Sequence, residues 1–462
     1  MDYDVGRVAA IQSAYLGIIK AFMPRYRAGR PTVVMLPGGM GSQLDRSPEP
    51  YRGEPPDFNR YDTVWIDLGL IFSSDGLALE IDAHGRDRDG YIVVPNGELR
   101  FLVDAYDGTR QWAADSGFNY VVFGYDWRRP IEECAGYLEF FLSNLRQQVF
   151  RKHGENPLEN ATLFAHSQGG LVAQMFLHRV GNPMPWFRRL ITVATPLYGT
   201  WSHMDRYFVG QSPLNEIYGK RRVAEIIGSL PGPYTLMPID RTTFARDWQR
   251  LGFSSDGDFP LLDPVSGAAA DCYDPANRAR WPAWCSRDHL DRARAIRQTI
   301  ALPLPDAVAA RIVNIRSTLD PKTPTRQTWA PLPDGFDPDS GAGSTVAAAG
   351  FQGGGDGTVP GWSAWHAYVP PANRLECAQA DSHMDMMEHV EVLNMAGPLI
   401  DPGYSPVRTA DPKGLYGASA DRASPAEVKS FAADAGSGRT PPGDPRLYDE
   451  RIWRGFMREM KR

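Results

Sequence analysis

Ala161-Thr-Leu-Phe-Ala-His-Ser-Gln-Gly-Gly-Leu171 is the stretch on which the reading of the whole chain turns. Thr162 to Ala165 is an apolar run that reads as a buried strand. It stops abruptly at His166-Ser167-Gln168-Gly169-Gly170. Helical spacing then resumes with Leu171, Met175 and Leu177. Strand, tight turn and helix together are the setting of a nucleophile elbow. The usual frame Gly-x-Ser-x-Gly stands here as Ala165-x-Ser167-x-Gly169. Small residues flank the serine because the turn brings backbones into close contact. Such a turn lifts the hydroxyl above the sheet and aims the helix N-terminus at it, so the Gln168 N–H would face a developing oxyanion. The competing reading is a plain glycine-rich connection.

Working outward, the same alternation recurs. Pro31 to Leu36 reads as a strand running into Pro37-Gly-Gly-Met-Gly-Ser-Gln-Leu44. A glycine-rich loop at the end of a strand upstream of the elbow is the expected place for a second oxyanion donor, here Gly39 or Met40. A plain turn is the alternative. Asp45 to Arg60 reads as a loop. Val64 to Phe72 is an apolar run, suited to lipid contact or to burial. Arg100 to Ser116 reads as a helix, Tyr120 to Gly124 as a strand, Ile131 to His153 as a long helix and Leu190 to Ala194 as a strand. Strands alternating with helices imply an α/β protein with a mostly parallel sheet.

The rhythm defines the expected organisation. Residues 1–29 carry an amphipathic helix with Val5, Val8, Ile11, Tyr15, Ile18, Ile19 and Phe22 at helical spacing. Residues 30–200 and 309–400 form the core. Residues 201–308, aromatic and proline-rich, read as a cap inserted over the site. Within the second core segment, Arg311 to Arg316 restores a strand, Gly341 to Gly355 is a small-residue loop and residues 366–378 read as the last strand. Asp381 to His389 then opens a helix. Residues 401–462 are a loosely ordered extension closing in a helix on which Leu447, Ile452, Phe456 and Met460 share a face. That face docks on the protein's own body or, alternatively, on a protein partner or membrane surface.

Composition excludes several classes. The 462 residues exceed one minimal core, and a net charge of -6 argues against nucleic acid as a partner. Four scattered cysteines (Cys134, Cys272, Cys285, Cys377) lack metal-ligand spacing, so no metal and no cofactor is expected. The opening Met1-Asp-Tyr-Asp4 is acidic where a signal peptide is basic, and no run reaches the roughly 18 apolar residues of a spanning helix. Cytoplasmic residence is the expectation.

A serine hydroxyl needs a base within reach, and the base needs an acid to fix its tautomer. Downstream of Ser167 the acid candidates are Asp320, which follows a strand directly, and Asp356, which sits between glycines. The histidines following both are His366, His383 and His389. His383, after the last expected strand and at the start of a helix, is placed best for the base. His389, further along, reads as a surface group.

The ordered set of motifs resembles the lecithin:cholesterol acyltransferase and lysosomal phospholipase A2-like family of α/β-hydrolases. The stretches that carry the resemblance are Val33 to Leu44, Val64-Trp-Ile-Asp-Leu68, Tyr125-Asp-Trp-Arg128, Ala165-His-Ser-Gln-Gly169, Ala194-Thr-Pro-Leu-Tyr-Gly199, Gly355-Asp-Gly-Thr-Val-Pro360 and His383-Met-Asp-Met386. The resemblance implies an α/β-hydrolase fold with an inserted cap. It also implies Ser167 as nucleophile, Asp356 rather than Asp320 as acid, His383 as base, and oxyanion donors at Gly39 or Met40 and at Gln168. Tyr125 to Arg128 would be a buried structural motif. The expected activity is cleavage of acyl esters of lipids through an acyl-enzyme, as a lipase, phospholipase or acyltransferase, with the lipid taken at a membrane surface. The alternative is a hydrolase body serving as an effector or interaction protein, with the N- or C-terminal helix binding a protein partner.

Overall fold

A computed structural model describes residues 3–52, 62–65, 79–82, 84–99, 106–200, 204, 219–331, 336–340, 346–348, 354–380, 382–406 and 430. Its centre is a six-stranded sheet in the order β12-β9-β7-β6-β1-β5. The strands are β1 (Thr32–Leu36), β5 (Asn119–Val122), β6 (Ala161–His166), β7 (Arg189–Val193), β9 (Ile312–Ser317) and β12 (Arg374–Cys377). Every neighbouring pair in it is parallel.

Both faces of this sheet are covered, which is why its strands read as continuous apolar runs. Val34, Leu36, Leu163 and Ala165 point into one core, shared with α1 (Tyr3–Phe22), α3 (Ile131–His153) and α4 (Gln168–Arg179). Their neighbours Val33, Met35 and Phe164 point into a second core, with Trp112 of α2 (Asp107–Asp115) and Leu393 of α10 (Val390–Ile400).

Between β7 and β9 the described chain forms α5 (Lys220–Ser229), α6 (Pro231–Tyr234), α7 (Arg241–Asp247), β8 (Leu261–Leu262), α8 (Arg287–Ile300) and α9 (Asp306–Ala309). β8 joins β10 (Gln327–Trp329) and β11 (Val346–Ala348) in a small sheet. No helix among the described residues is long and apolar enough to cross a membrane.

The structure differs from the sequence expectation at several elements. Ser42–Arg46 is a strand, β2, where a loop is expected, and it pairs antiparallel with β3 (Asp62–Trp65) and β4 (Val93–Glu98). Ser42, Gln43, Asp45 and Arg46 hide it, because polar side chains on a half-buried strand with irregular register leave no clean period. The last strand is only Arg374–Cys377, since Pro370 and Pro371 cannot donate to a ladder. α10 begins at Val390, so His383 lies on the irregular connection from β12, and His389 caps the helix by accepting the Glu391 N–H at 3.3 Å. On α1 the buried face is Tyr3, Arg7, Ala10, Ile11, Tyr15, Ile19 and Phe22, while Val5 and Val8 face outward. α2 begins at Asp107. Residues 100–105, most of Val64 to Phe72, residues 341–345 and 349–353, and the extension past 406 with its closing helix (except residue 430) lie outside the described residues.

Tyr125 to Arg129 anchors one side of the core. Arg128 is fully buried and pairs with Asp126 at 2.7 Å and Asp87 at 2.8 Å. Arg129 reaches the same two carboxylates. The Tyr3 hydroxyl of α1 donates to the Tyr91 carbonyl at 2.7 Å and accepts the Asp87 N–H at 3.0 Å, which ties the N-terminal helix to the cluster. Burial pushes the Asp126 carboxyl upward, but Arg128 and Arg129 outweigh it and hold the group below the usual range. Arg128→Leu leaves Arg129 alone between two buried carboxylates and is expected to cost about 3–5 kcal/mol, read from the urea unfolding midpoint. A lowered carboxylate contributes stability that is present above its unfolded pKa of about 3.9 and is lost as pH falls through the folded value. The wild type should therefore weaken below that pH more steeply than the variant does. An equal acid slope in both would remove Arg128 from the account.

Candidate active site

Ser167 sits at the carboxyl end of β6 with φ 50° and ψ -124°. A non-glycine residue there stores roughly 1–3 kcal/mol of backbone strain, which the surroundings must hold. They hold it on both sides. The Ser167 N–H donates to the Val193 carbonyl at 3.0 Å, and its own carbonyl accepts the Gly170 N–H at 3.0 Å. The two glycines that follow are steric necessities. A Cβ on Gly169 would stand 2.4 Å from the Pro37 carbonyl oxygen, and one on Gly170 would stand 2.0 Å from Thr195 Oγ1. The sequence Ser-Gln-Gly-Gly thus meets the end of β1 and the start of the loop after β7 at close quarters.

His383 brings its Nε2 to 2.9 Å from Ser167 Oγ. Its Nδ1 is 2.8 Å from Asp356 Oδ2, and its own N–H donates to the Asp356 carbonyl at 2.7 Å. The other carboxylate oxygen of Asp356 accepts the N–H groups of Thr358 at 3.0 Å and Val359 at 2.7 Å. Asp356 and His383 are buried, 2% and 7% exposed. The Ser167 side, half-buried, is the open end of the line.

Asp320 lies beside the acid loop without facing the imidazole. It pairs with Gly355 through two backbone bonds, 2.9 and 3.2 Å, and its carboxylate accepts Lys322 N–H and Thr323 Oγ1. Thr323 Oγ1 accepts the Gly357 N–H at 2.8 Å. The end of β9 therefore holds the loop on which Asp356 stands. His366 is elsewhere: fully buried, donating through Nε2 to the Ile300 carbonyl, with its pKa pushed down to about 4 by burial.

The expected oxyanion donors cluster at the same place. Gly38 approaches closely enough that a Cβ would lie 3.1 Å from the Ser167 Cβ, and a Cβ on Gly39 would lie 2.7 Å from Gln168 Oε1. Met40 has φ 65°, and its carbonyl accepts the Trp65 indole N–H at 2.8 Å. Gln168 opens α4, where a first-turn N–H has no intrahelical partner.

Sequence reasoning missed Tyr106 and His166. The Tyr106 hydroxyl accepts the Gly38 N–H at 2.7 Å and lies 3.1 Å from His166 Nδ1, while His166 Nε2 lies 3.1 Å from the His383 carbonyl. His166 was legible as the residue before the serine, but its partners stand 60 and 217 positions away. The described residues with metal-ligand chemistry in closest array are Cys377, His389 and Glu391, within 4.8 Å of one another. The Cys377 thiol donates to Glu391 at 2.9 Å, Glu391 also accepts the Ala378 N–H, and His389 caps α10. The cluster satisfies itself.

A hydroxyl on a strained strand-to-helix turn, an imidazole on it and a carboxylate behind, all at the carboxyl edge of a parallel sheet, mark the fold as that of the α/β-hydrolases. Within that class, residues 107–258 match the family model described as lecithin:cholesterol acyltransferase, so over that stretch the motif resemblance is met. The matched residues include Ser167 but neither Asp356 nor His383. Among solved structures, a chain from "The crystal structure of Tle4-Tli4 complex" is similar at 14% identity and TM-score 0.50, over 81% of this chain and 98% of that one. The mature form of the Bacillus licheniformis lipase BlEst2 aligns at 15% identity and TM-score 0.24, over 46% of this chain and 56% of that one. No curated protein matches the chain.

Proposed function

We propose that the protein cleaves acyl esters of lipids, with a glycerophospholipid or similar ester as substrate, through an acyl-enzyme on Ser167. The observation that carries this reading is the unbroken line Ser167 Oγ–His383–Asp356, with contacts of 2.9 and 2.8 Å. His383 Nε2 takes the serine proton as Oγ adds to the ester carbonyl. Asp356 holds the proton on Nδ1 and stabilises the imidazolium. The oxyanion is received by the Gln168 N–H and by Gly39 or Met40. Collapse expels the alcohol with a proton from His383, and water activated by the same imidazole frees the acid. An alcohol in place of water gives acyl transfer. Residues 201–308 act as the cap that governs which of the two enters. The match of residues 107–258 to the lecithin:cholesterol acyltransferase model supports the lipid ester as substrate class.

The test is labelling by a fluorophosphonate together with product analysis on phosphatidylcholine mixed micelles. One label per chain and release of fatty acid or transfer to added alcohol are expected. Failure of both labelling and release sinks the proposal.

A second reading, restraint or activation by a protein partner, is favoured by Val5, Val8 and Leu16 standing exposed on α1, at 55%, 38% and 39%. The chain of similar fold, that of the Tle4-Tli4 structure, was solved in a complex. Crosslinking with Val5→Lys and Val8→Lys introduced should lose a specific partner; unchanged partners discard this reading.

A further inference from the structure

The base sits on one of the least regular segments near the sheet. His383 lies between β12 and α10, on a connection whose described residues hold one helical turn, Asp385–Met387. Imidazole placement there depends on what grips the backbone. One grip is the acid loop, through the His383 N–H to the Asp356 carbonyl. A second comes from the other side, from the start of α2. The Gly108 N–H donates to the Glu388 carboxylate at 3.0 Å, and Thr109 Oγ1 donates to the Met387 carbonyl at 2.6 Å. A further contact is made through the Tyr106–His166 pair.

Its polarity follows from elementary donor counting. The His383 carbonyl only accepts, so His166 Nε2, at 3.1 Å, carries the proton. In a neutral ring of that tautomer Nδ1 is an acceptor, and the Tyr106 O–H, 3.1 Å away, is the donor that meets it. The Tyr106 oxygen also accepts the Gly38 N–H at 2.7 Å. Burial pushes the Tyr106 phenol upward, so the donated proton stays in place across the working pH range. The line runs from the loop that offers the oxyanion donors, through two side chains, to the residue that carries the base. Tyr106 and His166 are both buried, and their rings meet edge to face at 5.9 Å. His166 and His383 lie 4.9 Å apart at 36°.

We infer that Tyr106 and His166 are positioning residues for the reaction, setting the Gly38–Met40 loop and the His383 backbone in register with each other across Ser167. This rests on the reading of Ser167, Asp356 and His383 given above. Neither residue touches substrate. Each acts by fixing where the oxyanion donors and the imidazole stand, and small misplacements of such groups cost rate rather than ground-state affinity.

The experiment compares Tyr106→Phe, His166→Leu and His166→Gln with the wild type and Ser167→Ala on p-nitrophenyl butyrate. Active sites are counted by fluorophosphonate burst, so that misfolded material does not enter kcat. Tyr106→Phe and His166→Leu are expected to lower kcat per titrated site by about 10²-fold with KM unchanged. His166→Gln, which keeps one donor and one acceptor, should recover part of that loss. If His166→Leu does not fold by circular dichroism, Tyr106→Phe and His166→Gln decide. Unchanged kcat per site in Tyr106→Phe, or a loss confined to KM, overturns the inference while an inert Ser167→Ala leaves the underlying reading standing. Full activity in Ser167→Ala overturns that reading itself.

Discussion

Ser167→Ala and His383→Ala are each expected to lower kcat for ester cleavage by about 10⁶-fold, and the double variant by no more than either alone. The reason is mutual dependence. Without the Oγ there is nothing for His383 to deprotonate, and without Nε2 at 2.9 Å the hydroxyl stays protonated at neutral pH. Residual activity of about 10³-fold over water would come from the oxyanion donors and substrate binding. Ser167→Ala should leave the backbone strain where it is, because alanine at φ 50° bears it as serine does. Its stability therefore stays close to that of the wild type, and the loss is one of chemistry. Initial rates on a soluble ester, with circular dichroism to show folding, read the effect. A double variant that loses the product of the two single losses would mean that the two side chains act independently.

Asp356→Asn is expected to lower kcat by about 10⁴-fold with the fold intact. The backbone N–H groups of Thr358 and Val359 demand an acceptor at one side-chain atom, so an asparagine oxygen takes that place. Its NH2 then faces His383 Nδ1, where the carboxylate oxygen now sits at 2.8 Å. A donor there forces the proton onto Nε2, which can no longer accept from Ser167. Asp320→Ala is the control. Its carboxylate serves Lys322 and Thr323, and the backbone pairing with Gly355 survives the change, so most activity should remain. A larger loss from Asp320→Ala than from Asp356→Asn would transfer the acid role to Asp320.

Part of the fold and of the site is legible in the amino-acid sequence. Pro31 to Leu36, Thr162 to Ala165 and Leu190 to Ala194 read as strands because a doubly covered parallel strand must be apolar on both faces. The elbow was legible because its sterics leave room only for Gly169 and Gly170. Residue patterns alone left Asp320 and Asp356 open, since both stand on loops after β9; the family resemblance chose Asp356, and the structure sets that carboxylate, not the other, against His383. The β2–β4 sheet was not legible, because its strands are short, polar and bulged. Nor was the Tyr106–His166 pair, whose contacts cross the chain and leave no period in it.

The paired backbone bonds between Asp320 and Gly355 make the intervening residues a side excursion, closed at its neck. Position along the polypeptide is thereby uncoupled from position at the reaction centre: the carboxylate is referenced to the tip of β9, however long the detour that precedes it. Lineages or engineers can lengthen, shorten or replace the outer part of that detour, and the imidazole opposite still finds its counter-charge in the same spot.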